Sequence, residues 1–259
     1  MTTLAHAVAD SSTMLRRELR HTARNPSTLV MSVLLPGVLL LLLNFGFGGA
    51  IRTGGGRYVD FLTPGIIMMA ACYAVSATSV AVATDSSEGI IDRFRTMAIA
   101  RAAVLTGHVI GSLLQILAVL VLVILVSIAL GFRPTANPLE WVAALAVLGL
   151  FSFALIWLST ALGLAAKSVE TASNTPMFLT LLPFLSSGFV LTATLPVGLR
   201  QFAEYQPFTS VTQTVRGLLV GGPVGSHAVA AIAWSIGIAV ACYIWSIRLY
   251  DRRRAAAAS

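Results

Sequence analysis

The sequence predicts an all-α membrane protein: one transmembrane domain over residues 1–259, crossing a bilayer six times. Three observations carry that reading. Only 10% of the residues are charged and 57% are hydrophobic, where soluble domains run at about 25% charged. Such a chain cannot coat a globule with a solvated surface, so its natural solvent is lipid. Six stretches reach the roughly 20 mostly apolar residues that a span needs: 29–47, 62–83, 109–131, 141–166, 177–195 and 228–247. None has a charged side chain in its interior, so each can lie in hydrocarbon without burying an ion.

Ahead of the first span, residues 1–28 are polar, and the first apolar run starts too deep for the h-region of a cleavable signal. Ser12 to Asn25 opens with capping hydroxyls and ends at Asn25-Pro26, which are helix start and stop signals. Arg16, Arg20 and Arg24 share one face, with Arg17 beside them, while Met14, Leu15, Leu19 and Ala23 line another. The segment is expected to be an interfacial helix on the membrane lipid of the inner leaflet. In the first span, Pro36 and Asn44 interrupt an aliphatic run and are expected to bend it beside a polar path. The third span is the plainest, with aliphatic residues and alanine throughout 116–126. The fifth is the least regular. Pro183 and Ser186-Ser187-Gly188 invite a break, which survives at membrane depth only where protein or a wet cavity covers the freed backbone groups. Ser186 and Ser187 therefore join Pro36 and Asn44 as candidate path residues.

Two connections are more than turns. In the 84–108 loop, Asp85 followed by Glu88-Gly89 resembles a capping box. Ile90, Ile91, Phe94 and Met97 then recur at helical spacing, with Asp92, Arg93, Arg95 and Thr96 opposite. This short amphipathic helix, running to Arg101, can rest on lipid or dock its apolar face into a groove on a soluble partner. The 196–226 connection is punctuated by Pro196, Pro207 and Pro223, and two short helices, 197–205 and 209–220, are expected between them. Both are too polar to span and are read as re-entering the outer leaflet.

Charge orients the chain. The N-terminus, the 84–108 loop, Lys167 and the C-terminal end hold 12 of the 17 basic residues, and the alternate connections hold 5. The richer set is expected in the cytoplasm, with both termini inside. The formal charge of +7 is read as lipid-facing rather than nucleic-acid-binding, because no basic patch is interleaved with aromatics. Cys72 and Cys242 lie in apolar stretches without ligand spacing and are read as small buried hydrophobes, not metal ligands.

Catalysis finds no footing. His6, His21, His108 and His227 sit at or outside span ends, and a serine without a general base is inert. There is no phosphate-cradling Gly-x-x-x-x-Gly-Lys loop and no acidic group at mid-membrane, so neither ATP binding on this chain nor ion coupling is expected.

The ordered motifs resemble a family. They are Arg24-Asn25-Pro26; Pro36; Phe45-Gly46-Phe47-Gly48-Gly49; Asp85-x-x-Glu88-Gly89-x-x-Asp92-Arg93-Phe94-Arg95 with Ile99-Ala100-Arg101; Ser187-Gly188-Phe189-Val190; Tyr205-Gln206-Pro207-Phe208-Thr209; and Arg216-Gly217-Leu218-Leu219. Together they resemble the permease subunits of type-2 ABC exporters, especially the daunorubicin-resistance branch of actinobacteria. The resemblance implies a bacterial cytoplasmic-membrane permease that pairs with a second permease copy or homologue and with separate ATP-binding cassette subunits. ATP and Mg would sit on those subunits, and this chain would carry no cofactor. It further implies that Asp85–Arg101 is the coupling helix seated in the ATPase, that the basic N-terminal helix lies beside it, and that the 197–220 helices cap the translocation path externally. The sequence departs from the family pattern at Ala98, where a proline is frequent, at Leu191 and Ala193, where Pro and Asp are common, and at Gln206, usually Asn. The expected function is export of an amphipathic drug or lipid. The alternatives are export of a lipid-linked glycan, and a non-transporting membrane scaffold or sensor.

The topology is testable with single cysteines in a Cys-free background and an impermeant thiol reagent. Arg200→Cys should label on intact cells, and Arg93→Cys only after permeabilisation. The reverse pattern inverts the orientation.

Overall fold

The computed structural model describes residues 26–48, 57–87, 101–166, 168–174, 177–190, 192 and 195–258. Among these the chain is helical throughout. In order come α1 (Pro26–Phe47), α2 (Tyr58–Ser87), α3 (Arg101–Ala129), α4 (Pro138–Ala165), the short α5 (Val169–Asn174) and α6 (Met177–Leu181). A 3-10 turn, Leu182–Leu185, follows α6, and then α7 (Val197–Tyr205), α8 (Pro207–Val220) and α9 (Gly225–Ala258).

Five helices, α1 to α4 and α9, are long and apolar enough to cross a membrane. The remaining expected span, 177–195, is broken among the described residues. Helix α6 ends at Leu181, the 3-10 turn carries Pro183, and residues 186–190 form a turn. The cause is local: a proline supplies no N–H to the helical ladder and its ring crowds the preceding turn. Six regular spans are therefore five continuous helices and one interrupted element. The expected short helices after it are present as α7 and α8. The N-terminal interfacial helix, and Glu88–Ala100 of the expected coupling element, lie outside the described residues. Of that element only its edges are placed: Asp85 falls in the last turn of α2, and Arg101 begins α3.

Helix α2 is the axis of the bundle. Of its candidate span 72% is buried by the rest of the chain, against 17% for α1 and 22% for α9, so α1 and α9 are peripheral. Helix α2 packs against α1, α3 and α4, and α9 lies along α4. The α9 contact uses a narrow line of small residues, Ala231, Ser235, Ala239, Cys242 and Ser246, all buried at three- and four-residue spacing. Small residues let backbones approach closely where lipid offers no hydrophobic drive for helix pairing. The crossing of α2 and α4 is tightest at Gly163, where a Cβ would fall 2.6 Å from the Ser79 carbonyl oxygen and 3.2 Å from Val82 Cβ. Nearby, Ser159 Oγ donates to the Val75 carbonyl at 2.8 Å, joining α4 to α2.

One end of the bundle is pinned by polar contacts. The α3–α4 connection donates from Arg133 N to Asp60 Oδ1 (3.2 Å) and from Thr135 N to the Leu219 carbonyl (2.9 Å). It thus ties the start of α2 to the end of α8. Helix α4 then starts on a capping box: Glu140 N donates to Asn137 Oδ1 at 2.9 Å, and Asn137 N to Glu140 Oε2 at 2.7 Å. Each serves a donor that the first helical turn leaves unpaired.

Gly163→Ala should lower stability in detergent by about 1–3 kcal/mol, the usual cost of overpacking a tight contact. Gly237→Ala, where nothing lies within 4 Å, should be neutral or mildly stabilising. Thermal unfolding of the two purified variants checks the contrast.

Candidate functional site

The break between α6 and α7 needs partners for its backbone, and α8 supplies them. Gln206, Thr209 and Arg216 stand at spacings that return to one side of a helix. Gln206 Nε2 donates to the Leu185 carbonyl at 2.8 Å, and Thr209 Oγ1 accepts from Ser187 N at 3.2 Å. Arg216 reaches farthest. One terminal nitrogen donates both to the Ser187 carbonyl at 2.8 Å and to the Phe61 carbonyl on α2 at 2.9 Å; the other meets Gln213 Oε1 at 3.2 Å. The guanidinium lies 4.4 Å from the Phe61 ring centroid, a cation–π contact that offsets part of its desolvation. Burial pulls its pKa down to about 10, which still leaves a cation at neutral pH. Its Nε, with Ser187 Oγ and Gln206 Oε1, has no hydrogen-bond partner among the described residues, so the clamp is strong but incompletely satisfied.

The broken segment also sits against α2 at zero side-chain thickness. A Cβ on Gly65 would lie 2.7 Å from the Gly188 carbonyl oxygen, and one on Gly188 would lie 2.7 Å from Gly65 Cα. Within the turn, Ser186 Oγ donates to the Pro183 carbonyl and accepts from Gly188 N at 3.1 Å. Phe184 and Phe189 stack with centroids 4.6 Å apart.

Beside this knot, towards the Pro26 and Ser87 ends of α1 and α2, lies a cavity of about 610 Å³, the size of a small-molecule site. Helix α1 contributes Met31, Ser32 and Leu35, and α2 contributes Met69, Tyr73, Ser76, Ala77 and Val80. Ser173 and Asn174 of α5, Thr180 of α6 and Phe184 of the 3-10 turn complete it. Met31 and Leu35 of α1 and Ser173 and Asn174 of α5 are exposed, so the cavity opens at the bundle surface between α1 and α5. Phe184, stacked on Phe189, closes it towards the Arg216 clamp. No acidic or basic side chain is among the described lining residues. Ser76 Oγ donates to the Cys72 carbonyl of its own helix at 3.0 Å.

The path residues expected from sequence lie at three places. Pro36 is buried on α1, one residue after Leu35, and its neighbour Gly37 faces Val126 of α3. Asn44 sits near the end of α1, where its carbonyl accepts from Gly48 N at 3.0 Å. Ser186 and Ser187 are buried in the knot. None of the four lines the cavity. Gln206, unusual for the family pattern, is long enough to reach Leu185; Leu191, Ala193 and Ala98 lie outside the described residues. Arg216 went unrecognised as a site residue. Its signal was a lone cation in a short helix otherwise without charge, 29 positions after the serine it would clamp.

Comparison with known proteins gives a consistent set. The sequence profile of ABC-2 type transporters matches residues 11–220. The chain is 29% identical over 252 residues to a daunorubicin resistance ABC transporter permease protein of Streptomyces coeruleorubidus, covering 97% of this chain and 89% of that one. It is 23% identical over 243 residues to a "Probable doxorubicin resistance ABC transporter permease protein" of Mycobacterium tuberculosis, covering 92% and 86%.

Arg216→Met should destabilise the protein by about 1–3 kcal/mol, because it strips the part-buried Ser187 carbonyl of its donor and removes the bridge to α2 at Phe61. Arg216→Lys should recover only part, since an ammonium lacks the planar fork that bridges both carbonyls. Thermal midpoints in detergent for the three proteins should fall in the order Arg, Lys, Met.

Proposed function

The chain belongs to the ABC-2 type transporter family, and from that premise we propose that it is the permease subunit of an ATP-driven exporter. It moves an amphipathic drug or lipid out across a bacterial cytoplasmic membrane. The observation that carries this reading is the lateral cavity, open at the surface between α1 and α5 in one half of the bundle and closed by the clamped break towards the other. With the basic residues placing the Ser87 end of α2 in the cytoplasm, such a cavity would receive a substrate from the inner leaflet. The relatives named for daunorubicin and doxorubicin resistance support an amphipathic cargo.

The energy would enter from separate ATP-binding cassette subunits, which hold the ATP and Mg. Their closure would press on the Asp85–Arg101 coupling element, with Phe94 and Met97 seated in an apolar groove and Glu88, Arg93 and Arg95 at its rim. That element joins the last turn of α2 to the first of α3, so a push on it would be delivered to α2. Helix α2 touches the broken segment at Gly65–Gly188, which makes this contact the place where an ATPase movement would reach the closed end of the cavity. ATP binding biases the change only because it favours the closed ATPase over the open one. A second permease copy would complete the path, with the largely unburied faces of α1 and α9 available to it or to lipid.

Glycan export fits less well. A sugar path would be expected to carry a run of aromatic platforms, yet Trp157 packs internally against Phe153 and Tyr243, and Tyr73 and Phe184 are the aromatic residues among the described lining, with apolar Met31, Leu35 and Met69 making up much of the rest. A scaffold would have no use for a substrate-sized opening, and the similarity to permease proteins named for drug resistance favours export over sensing.

Co-purification with the ATPase subunit tests the coupling. Burying a Phe side chain is worth roughly 1.5–3 kcal/mol, so Phe94→Ala should weaken retention about ten-fold or more and Phe94→Glu should abolish it. Arg95→Ala, losing a rim pair worth about 0–1 kcal/mol, should do much less. Full retention by Phe94→Glu with normal export removes the coupling role.

A further inference from the structure

The cavity's chemistry narrows its cargo, given the reading above that it is the substrate site. We propose that it admits uncharged amphipaths of drug size that carry a hydrogen-bond acceptor, that Tyr73 is the group recognising that acceptor, and that permanently charged groups are turned away.

Three observations converge. The walls are soft and apolar where they are broadest: Met31 and Leu35 on one side, Met69 on the other, Phe184 at the closed end. Thioethers and aromatic faces accommodate flat or irregular apolar bodies. Second, no acidic or basic side chain is among the described lining residues, and Glu170, one turn before Asn174 on α5, is exposed and not part of the lining. A charged group entering here would lose its water and gain no counter-charge, whereas a carbonyl or hydroxyl needs only one hydrogen bond to be compensated. Third, the polar lining is unequal. Ser76 has already committed its proton to Cys72. Tyr73, half-buried, makes no hydrogen bond among the described residues, and a phenol donates one bond while accepting another. Ser173 and Asn174 are exposed at the edge of the cavity, whereas Tyr73 sits at mid-wall, one turn from Ala77 and one turn from Met69, where the polar group of a deeply seated occupant would meet it.

The test uses the full permease with its ATPase subunit in nanodiscs. Ala77, exposed on the cavity wall, is replaced by cysteine in a Cys72→Ala, Cys242→Ala background, and its modification by a maleimide reports occupancy. The probes are the uncharged dimethylaminonaphthyl ketone Prodan, its quaternary trimethylammonium counterpart and a sulfonated counterpart of the same ring system. Prodan should protect the cysteine at a concentration about ten-fold lower than either charged relative. Tyr73→Phe should raise that concentration about three- to ten-fold, as loss of one hydrogen bond to a neutral group predicts, and shift bound-Prodan emission to the blue. It should leave protection by the charged relatives unchanged. Equal or better protection by a charged relative overturns the uncharged class while leaving the cavity as the site. An unchanged Prodan profile in Tyr73→Phe overturns Tyr73 as the recognising group. If no probe protects the cysteine yet Prodan still stimulates the ATPase, and a mouth-filling Leu35→Trp does not blunt that stimulation, the cavity is not the substrate site and the parent reading falls with it.

Discussion

The guanidinium of Arg216 and the two carbonyls it serves, on Phe61 and Ser187, answer a constraint that the sequence imposes on the whole bundle. A chain interrupted at Pro183 inside an apolar assembly has backbone groups with no ladder to join, and hydrocarbon offers them nothing. Once those groups must be met by side chains, much else follows. Helix α8 must lie against the break, with its polar side towards it and Phe208, Val211, Val215 and Leu219 buried on the other. The break must come close to α2 for one cation to reach both, which only the Gly65–Gly188 contact allows. The stacked Phe184–Phe189 pair then closes a cavity whose open side lies away from the clamp. Arg216 is costly to bury, and it is kept because it replaces several smaller donors at one point.

Elsewhere the bundle treats polar side chains differently. Thr63, Ser76, Ser127, Thr214 and Ser235 each donate to the carbonyl four residues back on their own helix. These hydroxyls are satisfied before any neighbour arrives, so they can face lipid, cavity or protein without penalty. They contribute little to holding helices together. Cohesion comes from close approach at Gly163, from the small-residue line of α9 and from aromatic contacts such as Phe151 with Phe208, 5.2 Å apart and edge-on. Hydrogen bonds between distant segments are concentrated at the break and at the pinned end around Asp60.

The long spans were legible in the sequence because apolar runs without ions have one comfortable solvent. Helix α3 is the clearest case, and α7 and α8 were bounded in advance by Pro196, Pro207 and Pro223. The break itself was legible as chemistry, from Pro183 and the serines, but its partners were not. Gln206 and Arg216 meet it from across the fold, and a one-dimensional pattern does not encode which far residue will turn towards a freed carbonyl. Arg216 was visible as one of five cations on the charge-poor side and as the start of a motif, Arg216-Gly217-Leu218-Leu219, but neither says what it reaches. The cavity was hidden for a similar reason: Ser32, Tyr73 and Ser76 are scattered singly along helices that otherwise read as lipid-solvated. Pro36, Asn44, Ser186 and Ser187 stood out because they break the pattern locally.

Helix α2 runs for 30 residues, about 45 Å at 1.5 Å per residue, beyond the roughly 30 Å of a hydrocarbon core. It is buried along most of that length, so its neighbours hold it even where Pro64 removes a ladder N–H close to Phe61. A tilt of about 5° around its midpoint displaces each tip by roughly 2 Å for a rod of that length. At one tip that distance is enough to carry the Phe61 carbonyl out of hydrogen-bonding range of Arg216. Mechanically, then, the protein has a lever whose far arm rests on a latch with a throw of one hydrogen bond.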